Sequence, residues 1–242
     1  MDPDYARRYR ALAEGHWWWR SRNRVVVSEV QRLARPGGRL LDVGCGPGAL
    51  WPRLSAFGDI EGVELDASLV SDEYRDRVHV GPFDEDFVPD HTYDLILFLD
   101  VLEHLDDPVG ALRHAAGLLA PGGLVLATVP AFQLLWTHHD VINHHRVRYR
   151  RHTFAAQIEE AGLDVIRARY LFHWLFAAKL LLRAREALVR PGGTDLPAIP
   201  PRALNATLER VSDMEHKVAG PLRLPFGSSF LAVAQRTTEP GG

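Results

Sequence analysis

Short apolar runs alternate with segments of helical spacing along most of the chain. Runs typical of strands that are buried on both faces occupy residues 39–43, 60–65, 77–80, 93–99 and 124–129. Segments whose apolar residues recur at helical spacing lie between them, at 49–57, 67–74 and 108–119. This alternation predicts an α/β domain with a doubly wound, mostly parallel sheet and helices on both faces. Ligands in such sheets bind at the carboxyl ends of the strands.

The two ends of the chain add elements to this core. Residues 12–34 have helical spacing, and two further strands are predicted at 163–169 and 228–234. The interval between those last strands is far longer than a hairpin needs, so it is an insertion. It divides into two helical segments and a Pro/Gly-rich linker, at 170–189, 202–218 and 191–201 respectively.

One domain, 1–242, is therefore expected. Its predicted parts are an N-terminal helical cap at 1–36, a ligand-binding core at 37–169, a helical insertion or lid at 170–226 and the last strand at 227–236.

Composition supports a single domain and narrows the choice of partners. A chain of 242 residues with 46% hydrophobic content can bury one sizeable core. A net charge of -3 provides no field that would hold a polyanion, which argues against nucleic acid as a partner. The single cysteine, Cys45, excludes a disulfide framework within the chain and fits a reducing cytosol. Without a secretory leader or a run of about 20 apolar residues, a soluble, cytoplasmic protein is expected.

A glycine-rich turn follows the first predicted strand. Gly44, Gly46 and Gly48 stand where a turn requires positive φ and where backbone must approach a ligand without an intervening Cβ. Glu64 ends the next strand, close to the spacing of about 20 residues at which a carboxylate accepts hydrogen bonds from ribose hydroxyls. A cofactor is therefore expected against this turn.

Two cofactor classes fit the turn. Gly44, Gly46 and Ala49 also match the G-x-G-x-x-G/A fingerprint, so an NAD-dependent oxidoreductase remains an alternative. Asp42 argues against it, because a carboxylate beside the turn suits a cationic ammonium better than a pyrophosphate. The chain also contains no Tyr-x-x-x-Lys pattern.

Four motifs in order resemble those of the class I S-adenosylmethionine (SAM) dependent methyltransferases. They are LDVGCGPG at 41–48, Glu64, DLILFLDVLEHL at 94–105 and LAPGG at 119–123. The resemblance covers residues 39–169 firmly and the final strand more loosely. It implies a seven-stranded sheet whose last strand is antiparallel, with SAM lying over the ends of the first, second and fourth strands.

The resemblance also implies which residues contact the methionine part and the ribose of SAM. Asp42, Gly44 and Gly46 fall against the methionine part, with Cys45 inside the same turn. Glu64 falls on the ribose hydroxyls.

Further positions carried over by the resemblance close the cofactor pocket. Leu65 is expected against the adenine face, and Leu99 and Asp100 beside the ligand. The family often has Gly-Asp after the third strand, with the acid near the adenine amino group, whereas this chain has GPFD at 81–84. The sequence leaves open which of these residues contacts adenine, and Phe83 is taken as the candidate. His104 ends a Glu-His pair that could do chemistry or could simply cap the following segment.

Three adjacent tryptophans precede the first strand, in the sequence HWWWR at 16–20. Consecutive helical residues point to different sides, so the three cannot all face one core. We expect Trp19 to face the ligand or a lid while the others pack on the sheet. In comparable methyltransferases an arginine before the first motif reaches the carboxylate of SAM, and Arg20 or Arg24 could do so here.

The stretch 130–154 is rich in histidine and arginine. Because it leaves the fifth strand, where loops pass over a bound ligand, its polar groups are expected to bind the acceptor. It resembles a loop of a bacterial small-molecule methyltransferase subgroup that carries a His-Asp pair and a His-x-Arg-Arg-Tyr run. That subgroup is linked to cell-envelope glycan and natural-product pathways. The run here is HRVRY at 145–149, so Val147 replaces its first arginine.

These residues suggest how an acceptor would be held. We expect His139 or His145 to take its proton and Arg148 with Tyr149 to orient a phosphate or carboxylate. The candidates that complete the acceptor site are Trp136 and His138. A zinc site and a solvated basic edge are alternative interpretations, but no matched pair of ligand spacings occurs, so no metal is expected.

The reaction implied is methyl transfer to a small molecule, most readily to an oxygen, because positioning and a nearby base provide much of the rate. A SAM-fold binding module without catalysis remains an alternative. The helical segment 170–189 combines an apolar surface with basic residues. It is expected to form a lid or a peripheral membrane contact, with core packing as the alternative.

Overall fold

The computed structural model describes residues 10–188 and 198–237. The first part of the predicted cap, at 1–9, most of the predicted linker and the end of the chain at 238–242 lie outside the described residues. So does residue 189, the predicted end of the first insertion helix.

Seven strands form one mixed sheet in the order β3-β2-β1-β4-β5-β7-β6. The strands are β1 Gly38–Val43, β2 Gly58–Glu64, β3 Val78–Val80, β4 Tyr93–Leu99, β5 Leu119–Pro130, β6 Leu163–Leu171 and β7 Ser229–Arg236. Neighbours among β1 to β5 pair in parallel, whereas β7 runs antiparallel to both β5 and β6. The predicted seven-stranded sheet with its antiparallel last strand is confirmed.

Helices cover both faces of the sheet. They are α1 Trp17–Leu33, α2 Trp51–Leu54, α3 Pro108–Leu118, α4 His138–Ile142, α5 Arg151–Glu160, α6 His173–Leu188 and α7 Arg202–Ala219. Successive strand residues point to opposite faces, so Leu40 joins a cluster that includes Val26 of α1, while Leu41 joins one that includes Leu112 of α3. The continuous apolar runs of the central strands are therefore buried on both sides.

Three predicted helices differ from the structure, two of them for a local reason. The helix expected at 12–34 is interrupted at His16, whose side chain accepts a hydrogen bond from the Trp18 amide and so starts α1 afresh. The helix expected at 49–57 is confined to α2. The one expected at 67–74 is replaced by a 3-10 helix at Asp72–Arg77, because the Asp66 carboxylate accepts from the Ser68 amide and competes with helical hydrogen bonding.

The insertion forms a layer together with the N-terminal helix. The Trp17 amide of α1 donates to the side chain of Asn205 in α7 over 2.9 Å, and Arg24 pairs with Asp213 of α7. The first insertion helix begins at His173 rather than at residue 170, because β6 continues to Leu171 along its partner β7. No helix in the described ranges is long and apolar enough to cross a bilayer.

Candidate functional site

A cavity of about 1660 Å³ opens at the carboxyl ends of β1, β2, β4 and β5. Gly44, Glu64, Asp100 and Pro130 mark the four strand ends in its wall. Helices α1 and α6 cover it from the other side. This is the edge of the sheet at which the pattern of strands predicts a ligand.

The glycine turn is held in place by Glu64. Gly44, Gly46 and Gly48 have φ values of 69°, 53° and 68°, a region that side chains other than glycine seldom adopt. The Gly46 amide donates to one Glu64 oxygen at 2.8 Å, and the Asp66 amide donates to the other at 3.0 Å. Each carboxylate oxygen keeps capacity for a further donor, and Glu64 lines the cavity.

Three of the predicted cofactor residues lie behind this wall rather than in it. Asp42 is buried and accepts a hydrogen bond from the Trp51 indole at 2.9 Å, and burial raises its pKa to about 6. Cys45 is buried as well, and burial together with the charge of Asp42 raises the pKa of its thiol. Neither they nor Gly46 line the cavity. The buried side chains of Asp42 and Cys45 lie beneath the turn, where Asp42 is bonded to Trp51.

An apolar surface continues from Glu64 along the cavity. Leu65 lines it with 73% of its surface exposed, which is unusual for a leucine in a concave wall. Phe83 lines the same region and packs edge-on against Phe98 at 5.6 Å between ring centroids. Leu99 and Asp100 complete the wall where β4 ends.

Among the arginines of α1, Arg20 and Arg24 do not line the cavity, whereas Arg22 does. Its Nε and Nη2 donate to one Asp100 oxygen at 2.9 and 2.7 Å, and Nη2 also donates to the Leu99 carbonyl. Arg20 and Arg24 both face Glu209 of α7, since residues four apart share one face of a helix. The prediction that Arg20 or Arg24 reaches the carboxylate of SAM stays a prediction, and the ion pairs of both with α7 argue against it.

All three adjacent tryptophans line the cavity, together with His16. Trp17 is buried against Trp174 of α6 at 5.4 Å, and Trp18 packs on Phe172 at 6.1 Å. Trp19 lies edge-on to the His16 ring at 5.3 Å. The prediction that the three divide between packing and facing a ligand or lid stays a prediction for Trp19.

The loop after β5 is organised around one buried carboxylate, Asp140. Arg148 donates to its two oxygens at 2.8 and 3.0 Å, His145 Nδ1 lies 2.8 Å from it, and the Thr137 amide donates at 2.8 Å. Burial alone would raise the pKa of Asp140, but the His145 hydrogen bond and the Arg148 charge outweigh it and hold that pKa below its usual range. Arg148 is thereby committed to Asp140, although it also lines the cavity.

This arrangement decides how His145 faces the cavity. An ionised carboxylate only accepts hydrogen bonds, so Nδ1 carries the proton and Nε2 is turned away from Asp140. Nε2 lies 4.0 Å from an oxygen of Glu103, and the His145 ring stands edge-on to His104 at 4.8 Å. All three residues line the cavity.

Glu103 has an unusual environment. Its side chain is fully buried, and neither carboxylate oxygen has a hydrogen-bond partner within the described part of the chain. Burial and the charge of Asp100 raise its pKa well above the usual range. Burial and the neighbouring His145 lower the pKa of His104 to about 4, so that imidazole is neutral at pH 7.

Two further ionisable groups enter the same half of the cavity. Burial and the charge of Lys179 lower the pKa of His139 to about 4. Lys179, on α6, has its pKa lowered to about 7 by burial and by Arg148. In the described ranges no carboxylate lies within ion-pair distance of its ammonium. The sequence reasoning did not single out this lysine, because nothing in the helical pattern of α6 separates it from a lysine facing solvent.

Three predicted acceptor residues lie outside the cavity wall. Tyr149 is buried, its hydroxyl donates to the Leu102 carbonyl at 3.3 Å, and burial raises its pKa. Trp136 is half-buried just before α4, and His138 opens that helix, but neither lines the cavity. Residue 149 follows Arg148 on an extended segment bonded to β5, so its side chain points to the opposite side, into the core.

Comparison with known proteins adds independent information. A family model described as Methyltransferase domain matches residues 18–168, more than half of the chain. The ubiquinone biosynthesis O-methyltransferase of Xanthomonas campestris pv. campestris is 34% identical over 109 residues, 40% of this chain and 46% of that protein. The 27-O-demethylrifamycin SV methyltransferase of Amycolatopsis mediterranei is 28% identical over 130 residues, 45% of this chain and 47% of that protein. The chain spans about half the length of these relatives.

The fold is shared with solved structures over nearly the whole chain. A TehB-like SAM-dependent methyltransferase from Corynebacterium glutamicum superimposes with a TM-score of 0.57, covering 97% of each chain at 19% identity. At that identity the likeness concerns the fold alone.

Proposed function

The chain belongs to the methyltransferase domain family, and from that premise we propose that it transfers a methyl group from SAM to an oxygen of a small-molecule acceptor. Membership of that family decides between the two cofactor classes that the glycine turn admits, in favour of SAM. When bound, SAM supplies a methyl group that is activated by its attachment to a sulfonium. The observation that carries the proposal is that a cofactor-like wall and a cluster of buried ionisable groups face one another in one and the same cavity.

The residues of the cofactor half fit SAM. Glu64 faces the cavity with acceptor capacity left on both oxygens, which suits a pair of ribose hydroxyls. The exposed side chain of Leu65 offers an apolar surface that a flat adenine ring would cover. Phe83 can bound the same ring from the β3 side.

The acceptor half holds groups that can remove a proton from an oxygen. Asp140 fixes the tautomer of His145, which leaves Nε2 free to accept a proton from a bound hydroxyl. His139 is the second candidate, since its low pKa keeps it neutral at pH 7. An acceptor placed between these imidazoles and the cofactor wall would approach the methyl group from the open part of the cavity.

An acidic acceptor is favoured by Lys179 rather than by the loop arginines. The Arg148 guanidinium is fully engaged by Asp140. Arg146 does not line the cavity, and it pairs at 2.6 Å with Asp106, which does. Lys179 faces the cavity without an ion-pair partner among the described residues, so a carboxylate or phenolate of the acceptor could pair with it. The ubiquinone biosynthesis relative is named an O-methyltransferase, which supports the choice of oxygen as the acceptor atom.

Helix α6 is proposed to act as the lid of this site. Leu175, Ala178, Lys179 and Leu182 line the cavity from the α6 side. On its outer surface Leu181 is 74% exposed and Leu188 is 87% exposed, which leaves a membrane contact as the alternative that liposome binding can test.

Calorimetry and turnover test the proposal in sequence. Purified protein should bind SAM and S-adenosylhomocysteine but not NAD, and should then methylate members of a panel of phenols with and without a carboxylate. Binding of NAD alone would overturn the cofactor assignment. Tight SAM binding with no turnover of any phenol, amine or acidic carbon compound would instead support a non-catalytic binding module.

A further inference from the structure

Three ligand-type side chains converge at the acceptor end of the cavity. One oxygen or nitrogen atom from each of Glu103, His104 and His145 lies within 4.8 Å of the others. Glu103 and His104 come from the turn after β4, whereas His145 comes from the loop after β5, so only the folded chain brings the set together. All three line the cavity, which leaves one side of the cluster open to a ligand.

Glu103 is the observation that points to a missing partner. Its carboxyl group is fully buried, and both oxygens are unsatisfied within the described residues. Buried carboxylates are normally paired with a cation, hydrogen-bonded or bound to a metal, because an isolated charge in the interior is costly. Two imidazoles, those of His104 and His145, offer ring nitrogens within 4.8 Å of this carboxylate, and neutral imidazoles are metal ligands.

The surroundings of His145 match those of a metal ligand. Metal-binding histidines usually donate their second ring N–H to a carboxylate, which fixes the ring and leaves the other nitrogen free for the ion. Asp140 accepts from Nδ1 of His145 at 2.8 Å, and Arg148 holds Asp140 in turn. The Nε2 atom that remains is the one directed at Glu103.

We propose that Glu103, His104 and His145 bind one divalent transition-metal ion, with zinc as the best match, whose open position takes the acceptor oxygen. One carboxylate and two imidazoles leaving a fourth position free is the ligand set of catalytic zinc sites. Zinc bonds of about 2.0 to 2.2 Å bring ligand atoms about 3.3 Å apart, so this cluster would tighten by about 1 Å on binding the ion. This metal site rests on the proposed function in one respect only, namely that the molecule whose oxygen binds the ion is the methyl acceptor.

The ion would make the acceptor oxygen a better nucleophile. Coordination of a hydroxyl to a divalent ion would favour loss of its proton. With the ion bound, Nε2 of His145 is a ligand and no longer a base, so His139 or water would accept that proton. An electron pair of that oxygen then forms the bond to the methyl carbon, while the pair of the carbon–sulfur bond remains on sulfur. The products are the methyl ether, S-adenosylhomocysteine and one proton, so no oxidant or reductant is required.

Metal binding can be measured without any acceptor. The full chain would be stripped with a chelator, desalted and titrated with Zn²⁺ by calorimetry, and in parallel with Co²⁺ by visible absorption. One ion per chain is expected, with the intense cobalt bands of four- or five-coordination. Failure of the wild-type protein to bind zinc, or weak bands typical of cobalt held in water, would overturn the proposal.

Variants separate this cluster from the other histidines of the loop. Glu103→Gln and His145→Gln should weaken zinc binding at least tenfold, whereas His139→Gln, which alters a neighbouring histidine of the same cavity, should leave it unchanged. Zinc binding that survives both ligand substitutions, or that is lost only in His139→Gln, would contradict the assignment. If the ligand variants do not fold, the wild-type cobalt spectrum decides alone.

Failure of the metal site can be told apart from failure of the proposed methyl transfer. SAM binding by the metal-free protein tests the cofactor site independently of the ion. If the chelated protein still turns over at the full rate, the proposed role of the metal is wrong, whereas the proposed methyl transfer stands. If the cluster binds one zinc ion per chain but the protein does not bind SAM, the proposed metal site stands and the proposed methyltransferase activity is wrong.

Discussion

The two halves of the cavity are built in different ways. The centre of the cofactor half comes from β1, the glycine turn and β2, in which the Gly46 amide and the Glu64 carboxylate are 18 positions apart in sequence. Glu64 accepts from backbone amides there, and Phe83, Leu99 and Asp100 extend the wall. The acceptor half collects Glu103, Asp140, His145 and Lys179 from the turn after β4, the loop after β5 and helix α6. A local motif is enough to form the centre of the first half, whereas the second half exists only when distant elements pack.

The halves also differ in what their charges do. Glu64 is satisfied by backbone donors and remains available to a ligand. In the acceptor half Asp140 and Arg148 satisfy one another, which leaves Glu103 and Lys179 as the groups without a close partner among the described residues. Substitutions in the cofactor half should therefore act mainly on ligand binding, and substitutions in the acceptor half on folding and on acceptor chemistry.

The largest effect is expected from Glu64→Ala, measured as SAM affinity by calorimetry. The variant loses charge-assisted hydrogen bonds to two ribose hydroxyls, each worth about 1.5 to 3 kcal/mol, so affinity should fall about a hundredfold or more. Glu61→Ala is the control on the same strand, because Glu61 accepts from the Tyr93 hydroxyl away from the cavity. SAM affinity within threefold of wild type for Glu64→Ala would mean that this wall does not hold the cofactor.

A somewhat smaller effect, on stability, is expected from Asp140→Ala. The substitution leaves the buried Arg148 guanidinium unpaired, which should lower the free energy of unfolding by about 3 to 5 kcal/mol in urea titrations. Val141→Ala is the matched control, since that neighbour on α4 is 54% exposed and should change stability by about 0.5 kcal/mol or less. A loss below about 1 kcal/mol for Asp140→Ala would show that the acceptor loop is not organised by this carboxylate.

The smallest effect is a pH dependence that belongs to the acceptor half alone. Lys179 has a pKa of about 7, so its ammonium is charged below that pH and neutral above it. KM for a carboxylate-bearing acceptor should therefore rise as pH increases through 7, while SAM affinity stays flat. Lys179→Arg should remove this dependence because a guanidinium remains charged. Lys217→Met, on the exposed part of α7, serves as the control.

If KM rises with pH as steeply in Lys179→Met as in the wild-type protein, the group that titrates is not Lys179. An acceptor without an anionic group should show no such rise even in the wild-type protein, which separates the role of the lysine from that of a proton-accepting histidine.

The fold could be predicted from the sequence because its information is local. Strands buried on both faces are short continuous apolar runs, and their alternation with helical spacing requires a parallel sheet. The differences arise where side chains compete with the backbone, as Asp66 does in place of the helix expected at 67–74 and His16 does at the start of α1. Element ends depend on such single hydrogen bonds, which periodicity does not record.

For the site, the sequence by itself determined the glycine turn, Glu64 and the histidine-rich loop, because turn geometry and motif spacing need only neighbouring residues. Only the tertiary structure decided which charges are already engaged. It turned Arg22 rather than Arg24 to the cavity, committed Arg148 to Asp140, and left Glu103 and Lys179 facing the same space. Whether a charge is available to a ligand depends on what packs against it from distant elements, and that pairing is an energetic result of the whole fold.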